Sequence, residues 1–142
     1  MEPGASRVVL AIETSCDETA AAVLHGEQLL SSEVASQIAV QTLADSFQRE
    51  ARPTLADPFR FLQKGLTNAH HAILDYAERH RLGDTPRTTC VACIVQDSIA
   101  YWAHAGDSRL FLMRGGKVVA QTKDHSRIRI LLEEGLISEA RA

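Results

Sequence analysis

Aromatic residues are scarce: 4 Phe, 2 Tyr and 1 Trp make up 5% of a 142-residue chain. A core must therefore be built mainly from Ala, Val, Ile and Leu, and a 45% hydrophobic content can supply one. Cysteine is limited to 3, an odd number that speaks against a disulfide framework and favours a reducing cytosol. An excess of one charge is also missing, because 15 basic against 18 acidic residues leave a net charge of -3. That balance gives no electrostatic footprint for nucleic acid, and there is neither a basic block nor an acidic tail. No run approaches the roughly 18 apolar residues of a membrane span. The opening MEPGASRVVLAIETSCDE lacks the basic flank and long apolar stretch of a signal peptide. Internal repeats and low-complexity segments are absent too. These absences predict a soluble, cytoplasmic chain of one modest domain, with no membrane partner.

What is present changes period along the chain. RVVLAIETS (7–15) is a short apolar run in which Arg7 to Ile12 predicts a buried strand, TSCDET (14–19) a polar turn, and AAAVLHG (20–26) a returning strand. Residues 27–32 suit a third strand or a loop. Ser32 can then cap a helix, with Glu33 in its first turn. Val40, Leu43, Ala44 and Phe47 form a stripe on that helix, and Val34 and Ile38 lie off it. Asp57-Pro58 predicts the start of a second helix, running to about His80 with Phe59, Leu62, Leu66, Ala69, Ile73 and Ala77 on one face. Beyond RLGDTPR (81–87) the period becomes two. TTCVACIVQ (88–96) predicts a central strand and SIAYWAHAG (98–106) follows a tight turn at Gln96-Asp97. RLFLMR (109–114) and KVVAQ (117–121) flank Gly115-Gly116, a two-residue hairpin signal. The whole predicts an antiparallel meander. A helix capped by Asp124 or Ser126 would run through IRILLEEG.

Two stretches carry chemistry. Gly106-Asp107-Ser108-Arg109 reads as a turn between strands, with Gly supplying permissive angles and Asp bonding its own backbone. The same residues also place a carboxylate at a strand end, where a hard cation such as Mg2+ or Mn2+ would accept oxygen ligands. Thr14, Ser15, Asp17 and Glu18 read as a polar turn. Equally, hydroxyls and amides there could cradle phosphate, with the acids acting through a bridging metal. Cys90 and Cys93 spell C-x-x-C, but residues three apart on a strand face opposite sides, so a structural reading is preferred. His104, His125 and Trp102 fit core or turn roles.

Thr88-Thr89, AHAGDSR (103–109) and TKDHS (122–126), in that order, resemble the metal-dependent protein phosphatases of the 2C (PP2C) family, over roughly residues 33–142. The resemblance implies a β-sandwich flanked by helices, and two cations bridging a water that attacks a phosphoserine or phosphothreonine of a phosphoprotein substrate. The physical logic is that two cations lower the pKa of the shared water and neutralise the phosphate. Asp107 matches an acid that the family associates with an accessory third metal, not with the two-metal core. The core ligands of the family come from an early acidic motif, an Asp-Gly-Met-Gly-Gly step and later Asp-Gly and Asp-Asn steps. No Asp-Gly-Met-Gly-Gly occurs in this sequence, and the later steps would lie beyond Ala142. The arginine that binds phosphate near the start of family members is not identifiable. Weak or absent catalysis and low occupancy by Mg2+ or Mn2+ are therefore expected.

The front end resembles something else. IETSCDETAAAV and SSEVASQIAV (31–40) are similar to the opening of the TsaD family, which makes threonylcarbamoyladenosine in tRNA on an actin/Hsp70-like ATPase fold. That resemblance implies Asp17 and Glu18 as acids of an active-site loop, and Thr14 and Ser15 near phosphate. The family's H-x-x-x-H metal pair has no match, since His70 and His71 are adjacent and face different directions. EVASQIAV (33–40) suits both families. The sequence therefore predicts a fusion near residues 33–40, by recombination, by assembly artefact or by intent. Residues 1–32 would be a TsaD-like β-hairpin segment and 33–142 a partial PP2C-like domain. The fold class is α+β, a partial antiparallel β-sandwich with two long helices, preceded by the hairpin. The alternatives to a phosphatase are a fragment of a tRNA threonylcarbamoyltransferase, with tRNA as partner, and a chimeric chain without activity.

Overall fold

The computed structural model describes residues 9–14 and 26–123. In chain order these form β1 (Val9–Glu13), α1 (Gly26–Glu50), α2 (Pro58–Arg79), β2 (Cys90–Gln96), β3 (Ile99–Ala105), β4 (Phe111–Arg114) and β5 (Lys117–Gln121). The class is α+β. β1, β2 and β3 make one antiparallel sheet with β2 in the middle, and β4 and β5 make a separate ribbon.

The central strand explains the packing. Cys90, Ala92, Ile94 and Gln96 alternate onto one face of β2, and all four are buried. They meet Leu43 of α1, Phe61 and Leu62 of α2, and Leu55 from the connection between the helices, with Leu10 and Ile12 of β1 and Tyr101 and Ala103 of β3 at the margin. Each fully buried Leu or Ile there contributes about 1.5–3 kcal/mol over leaving it exposed. The opposite face pairs Val91 with His104, Cys93 with Trp102 and Val95 with Ala100. It is covered at Val91 and open at Val95, which is 46% exposed.

Several expectations shift. Residues 27–32 are helical, neither strand nor loop, so α1 starts at Gly26 and Ser32 lies within it instead of capping it. The inward face of α1 is Ala35, Ala39, Leu43 and Ser46, whereas Val40 is exposed. Small residues on that face let the helices approach closely, and the cost of a wrong face would be the loss of the Leu43 contact with Gly65. On α2, Asp57 accepts from Arg60 N at 3.0 Å and Pro58 opens the helix, as the sequence predicts. Leu62, Ala69, Ile73 and Ala77 of its predicted face are buried, but the first turn differs. Phe61 points inward, edge-on to Phe47 at 6.1 Å between centroids, and Phe59 is exposed.

The turn between β2 and β3 is Asp97-Ser98, both at positive φ, one residue later than predicted. The predicted meander breaks after β3: at Gly106 the chain leaves the sheet, and among the described residues β4 pairs only with β5. Gly115 and Gly116, at φ 56° and 74°, close that ribbon. Of the strand expected to return from β1 (20–26), residues 20–25 lie outside the described residues and Gly26 opens α1 instead; the helix expected after 124 also lies outside them. The described partner of β1 is β2, in the register Val9 to Val95, Leu10 to Ile94 and Ile12 to Ala92.

Candidate functional site

The register brings several motifs to one end of the sheet. Glu13 pairs with Val91, and Val91 pairs with His104. Cys90 pairs with Ala105, so Thr89 comes alongside Gly106. β1 therefore delivers half-buried Thr14 to the same end as the Gly106-Asp107-Ser108 turn. Ser15, Asp17 and Glu18 lie outside the described residues.

The turn itself is built for close approach. Gly106 has φ +98°, a conformation that side chains with a Cβ rarely adopt. A Cβ on it would stand 2.7 Å from Thr89 Cγ2 and 3.4 Å from Thr89 Cα. Ser108 Oγ and Thr89 Oγ1 share a hydrogen bond of 2.7 Å. Thr88 Oγ1 donates to Thr89 O at 3.0 Å and is 2.9 Å from Ser36 Oγ on α1. A hydroxyl carries one proton, so Ser36 is the donor to Thr88. Asp107, between Gly106 and Ser108, is exposed.

The downstream motif closes the other side. Leu110 N donates to Thr122 Oγ1 at 3.0 Å and Thr122 N donates to Leu110 O at 3.1 Å. Thr122 is buried and extends the ribbon by one side-chain bond. His104 Nε2 donates to Lys123 O at 2.6 Å, which fixes the proton on Nε2 and ties the exit of β5 to β3. Asp124, His125 and Ser126 lie outside the described residues.

The donor set decides what the site can hold. Among the described residues no three His, Cys, Asp or Glu side chains gather where one cation could bind them. Two bridged cations need several carboxylates, so a dinuclear centre does not fit the described residues. A single exposed carboxylate does fit a mostly hydrated Mg2+- or Mn2+-like ion, which keeps several waters and takes one or two carboxylates. Cys90 and Cys93 form no disulfide and lie on opposite faces of β2, and burial pushes the Cys93 thiol up from its ordinary value. His70 and His71 are both exposed on α2, with ring centroids 5.9 Å apart. No described helix is long and apolar enough to cross a membrane.

The sequence reading singled out Asp107, Thr88 and Thr89. It missed Ser36, which carries no local signal because its partner is 52 residues away.

A family model for protein phosphatase 2C matches residues 13–130. The chain belongs to the protein phosphatase 2C family. It is 33% identical over 108 residues to a serine/threonine phosphatase, stp, of Listeria innocua, covering 75% of this chain and 43% of that protein. Its fold matches the serine/threonine phosphatase PstP/Ppp of Mycobacterium tuberculosis with a TM-score of 0.68 at 24% identity, over 95% of this chain and 52% of that one. A second structure, of the PstP catalytic domain in complex with 2 manganese ions, gives a TM-score of 0.59 at 23% identity, over 95% of this chain and 53% of that one. The chain thus spans less than half of that curated relative and about half of the solved ones. A short run is similar to another family: 33 residues, 23% of this chain and 10% of the relative, are 70% identical to a tRNA N6-adenosine threonylcarbamoyltransferase of Thermosipho melanesiensis.

Proposed function

We propose that the chain is part of a metal-dependent protein serine/threonine phosphatase, one whose described residues supply an accessory cation ligand, Asp107, and form no two-metal centre. The observation that carries this is the Gly106-Asp107-Ser108 turn held against Thr89, with an exposed carboxylate and no three-ligand cluster among the described residues. The cation would be Mg2+ or Mn2+, because a carboxylate and water are hard oxygen donors. Its substrate in the whole protein would be a phosphoserine or phosphothreonine side chain, as in the relatives' class. Located in the cytoplasm, it would meet such phosphoproteins directly. The chain alone hydrolyses them weakly or not at all, because one weakly held cation cannot both activate water and neutralise the phosphate.

The domain reading that goes with this is a junction near residues 33–40, with a TsaD-like segment before it and a partial phosphatase domain after it. The 70% identity over 33 residues supports a borrowed opening. The pairing of β1 with β2 supports a borrowed strand that serves the phosphatase sheet.

A Mn2+-dependent assay on a phosphothreonine peptide tests the main reading. Background turnover is expected. Robust turnover abolished by Asp107→Ala overturns the claim of impairment. The second reading, a tRNA threonylcarbamoyltransferase fragment, is favoured by the short similar run alone. ATP binding that Asp17→Ala and Glu18→Ala both abolish would support it. A cooperative melt that responds to neither Mn2+ nor ATP would instead support a chimera without activity.

A further inference from the structure

We propose that the outward face of α2 is a contact surface for a second copy of this chain, docked antiparallel on the same helix. Arg60, Lys64, Thr67, His71, Leu74 and Glu78 are all exposed, and they recur at alternating steps of four and three. That spacing is the roughly 3.5-residue repeat of a two-helix seam. It lies on the side of α2 opposite the buried Phe61, Leu62, Gly65 and Ala69.

Charge is sorted along this face. Arg60 and Lys64 lie in the first two turns, and Asp75 and Glu78 in the last two. Within a lone helix that order is unfavourable in two ways. Like charges stand four apart at Arg60 and Lys64 and three apart at Asp75 and Glu78, where they repel. The cation of the first turn and the acid of the last also oppose the macrodipole. Asp57 as the cap and Arg79 in the last turn offset part of this. Asp75 reaches Arg79 at 4.0 Å, but both side chains are mostly exposed, so that pair holds neither firmly.

An antiparallel copy offsets both conflicts. A two-fold axis at the level of Ala69 sets Arg60 beside Glu78 of the second copy, Thr67 beside His71, and Lys64 beside Leu74 and Asp75. The cationic half of each helix then faces the acidic half of the other, and the macrodipoles run opposed. One surface supplies both halves of the match, which is why the partner is a second copy and not a foreign helix. The contact is isologous, so it closes as a dimer. Leu74, 39% exposed, is the large apolar residue in the seam. The dimer is accordingly weak and salt-sensitive, at the small and polar end of protein contacts.

The test is sedimentation velocity on the full chain over a wide concentration range, at low and at high salt. The unaltered chain should form dimers as concentration rises at low salt, and high salt should dissociate them. Lys64→Glu and Asp75→Lys should each weaken the dimer roughly tenfold, because the pair they break occurs twice in it. Combining the two should restore affinity, since the pair re-forms with its signs exchanged. Melts of the dilute chain separate this from a folding defect. Both substitutions are at exposed positions and should keep the melt cooperative, and Lys64→Glu should not lower it, because it removes a like-charge pair. Should either variant fail to fold, Arg60→Glu and Glu78→Arg give the same comparison at the second pair. A monomer at every concentration and salt, a dimer indifferent to the single exchanges, or a dimer weakened by them and not restored by their combination overturns the proposal.

Discussion

The side chain of Gln96 and the backbone of Leu55 close a ring of two hydrogen bonds inside the core. Gln96 Nε2 donates to Leu55 O at 2.9 Å, and Leu55 N donates to Gln96 Oε1 at 2.9 Å. One carboxamide thereby satisfies both backbone groups of a buried loop residue, as a neighbouring strand would. It fixes the connection between the helices to the end of the central strand.

Gln96→Ala should therefore leave a buried N–H and a buried C=O without partners. The expected loss is about 2–4 kcal/mol, since each unsatisfied group costs about 1–3 kcal/mol. Urea denaturation should show a lower midpoint with an unchanged slope. Gln48→Ala, at an exposed position of α1, should stay within about 0.5 kcal/mol of the unaltered chain.

Gly65 marks the closest approach of the helices. A Cβ there would overlap Leu43 Cδ2, and Leu43 is fully buried at 0% exposure, so it has little room to move. Overpacking of this kind costs about 1–3 kcal/mol, and the better helix propensity of Ala returns somewhat under 1 kcal/mol. Gly65→Ala should thus be net destabilising by about 1–2 kcal/mol in thermal unfolding. In a Leu43→Ala background the same substitution should cost less, giving a measurable coupling between the sites.

Gly106→Ala meets two obstacles at once. The backbone is at φ +98° and Thr89 occupies the space a Cβ would need. A left-handed conformation costs a residue with a Cβ about 1–2 kcal/mol, before any clash is counted. The turn should open, and amide hydrogen exchange at residues 106–108 should speed up by more than tenfold relative to the middle of β2. Adding Thr89→Ala should remove the Cγ2 overlap but leave the 3.0 Å approach to Thr89 Cβ and the dihedral penalty, so recovery should be partial.

The Cys93 thiol is raised by burial, which disfavours its thiolate. At neutral pH it should react with a thiol reagent more slowly than in the unfolded chain, and its rate should climb at a higher pH than that of an ordinary cysteine. The folded state holds this proton more tightly than the unfolded state. Its contribution to stability is therefore fully present below the ordinary thiol value of 9.0 and is lost as pH rises through the higher folded value. Denaturation midpoints from pH 8 upward in the unaltered chain and Cys93→Ala should diverge in that direction.

How much of this was readable in advance varied with the locality of the signal. Asp57-Pro58, Gly115-Gly116 and the run from Cys90 to Gln96 announce a helix start, a hairpin and a central strand through nearest-neighbour chemistry, and each is where the sequence puts it. Helix faces were less legible. Val40 and Phe59 are large and apolar but exposed, whereas Ala35, Ala39 and Ser46 on α1 and Phe61 on α2 are buried. The extension of α1 back to Gly26 was hidden by Ser31 and Ser32, which are good caps yet lie within the helix. The strand before them was legible, but its partner was not, since pairing of β1 with β2 spans about eighty residues that local pattern cannot bridge. At the site, the Asp107 turn was evident from spelling, while its Thr89 and Ser36 supports needed the fold.

The proposed function rests on Asp107 as an accessory carboxylate and on described residues that form no two-metal centre. Counting Mn2+ bound per chain by titration calorimetry tests this most directly. The account predicts at most one weakly held ion, lost in Asp107→Asn. Two tightly bound ions per chain, retained in that variant, would contradict it.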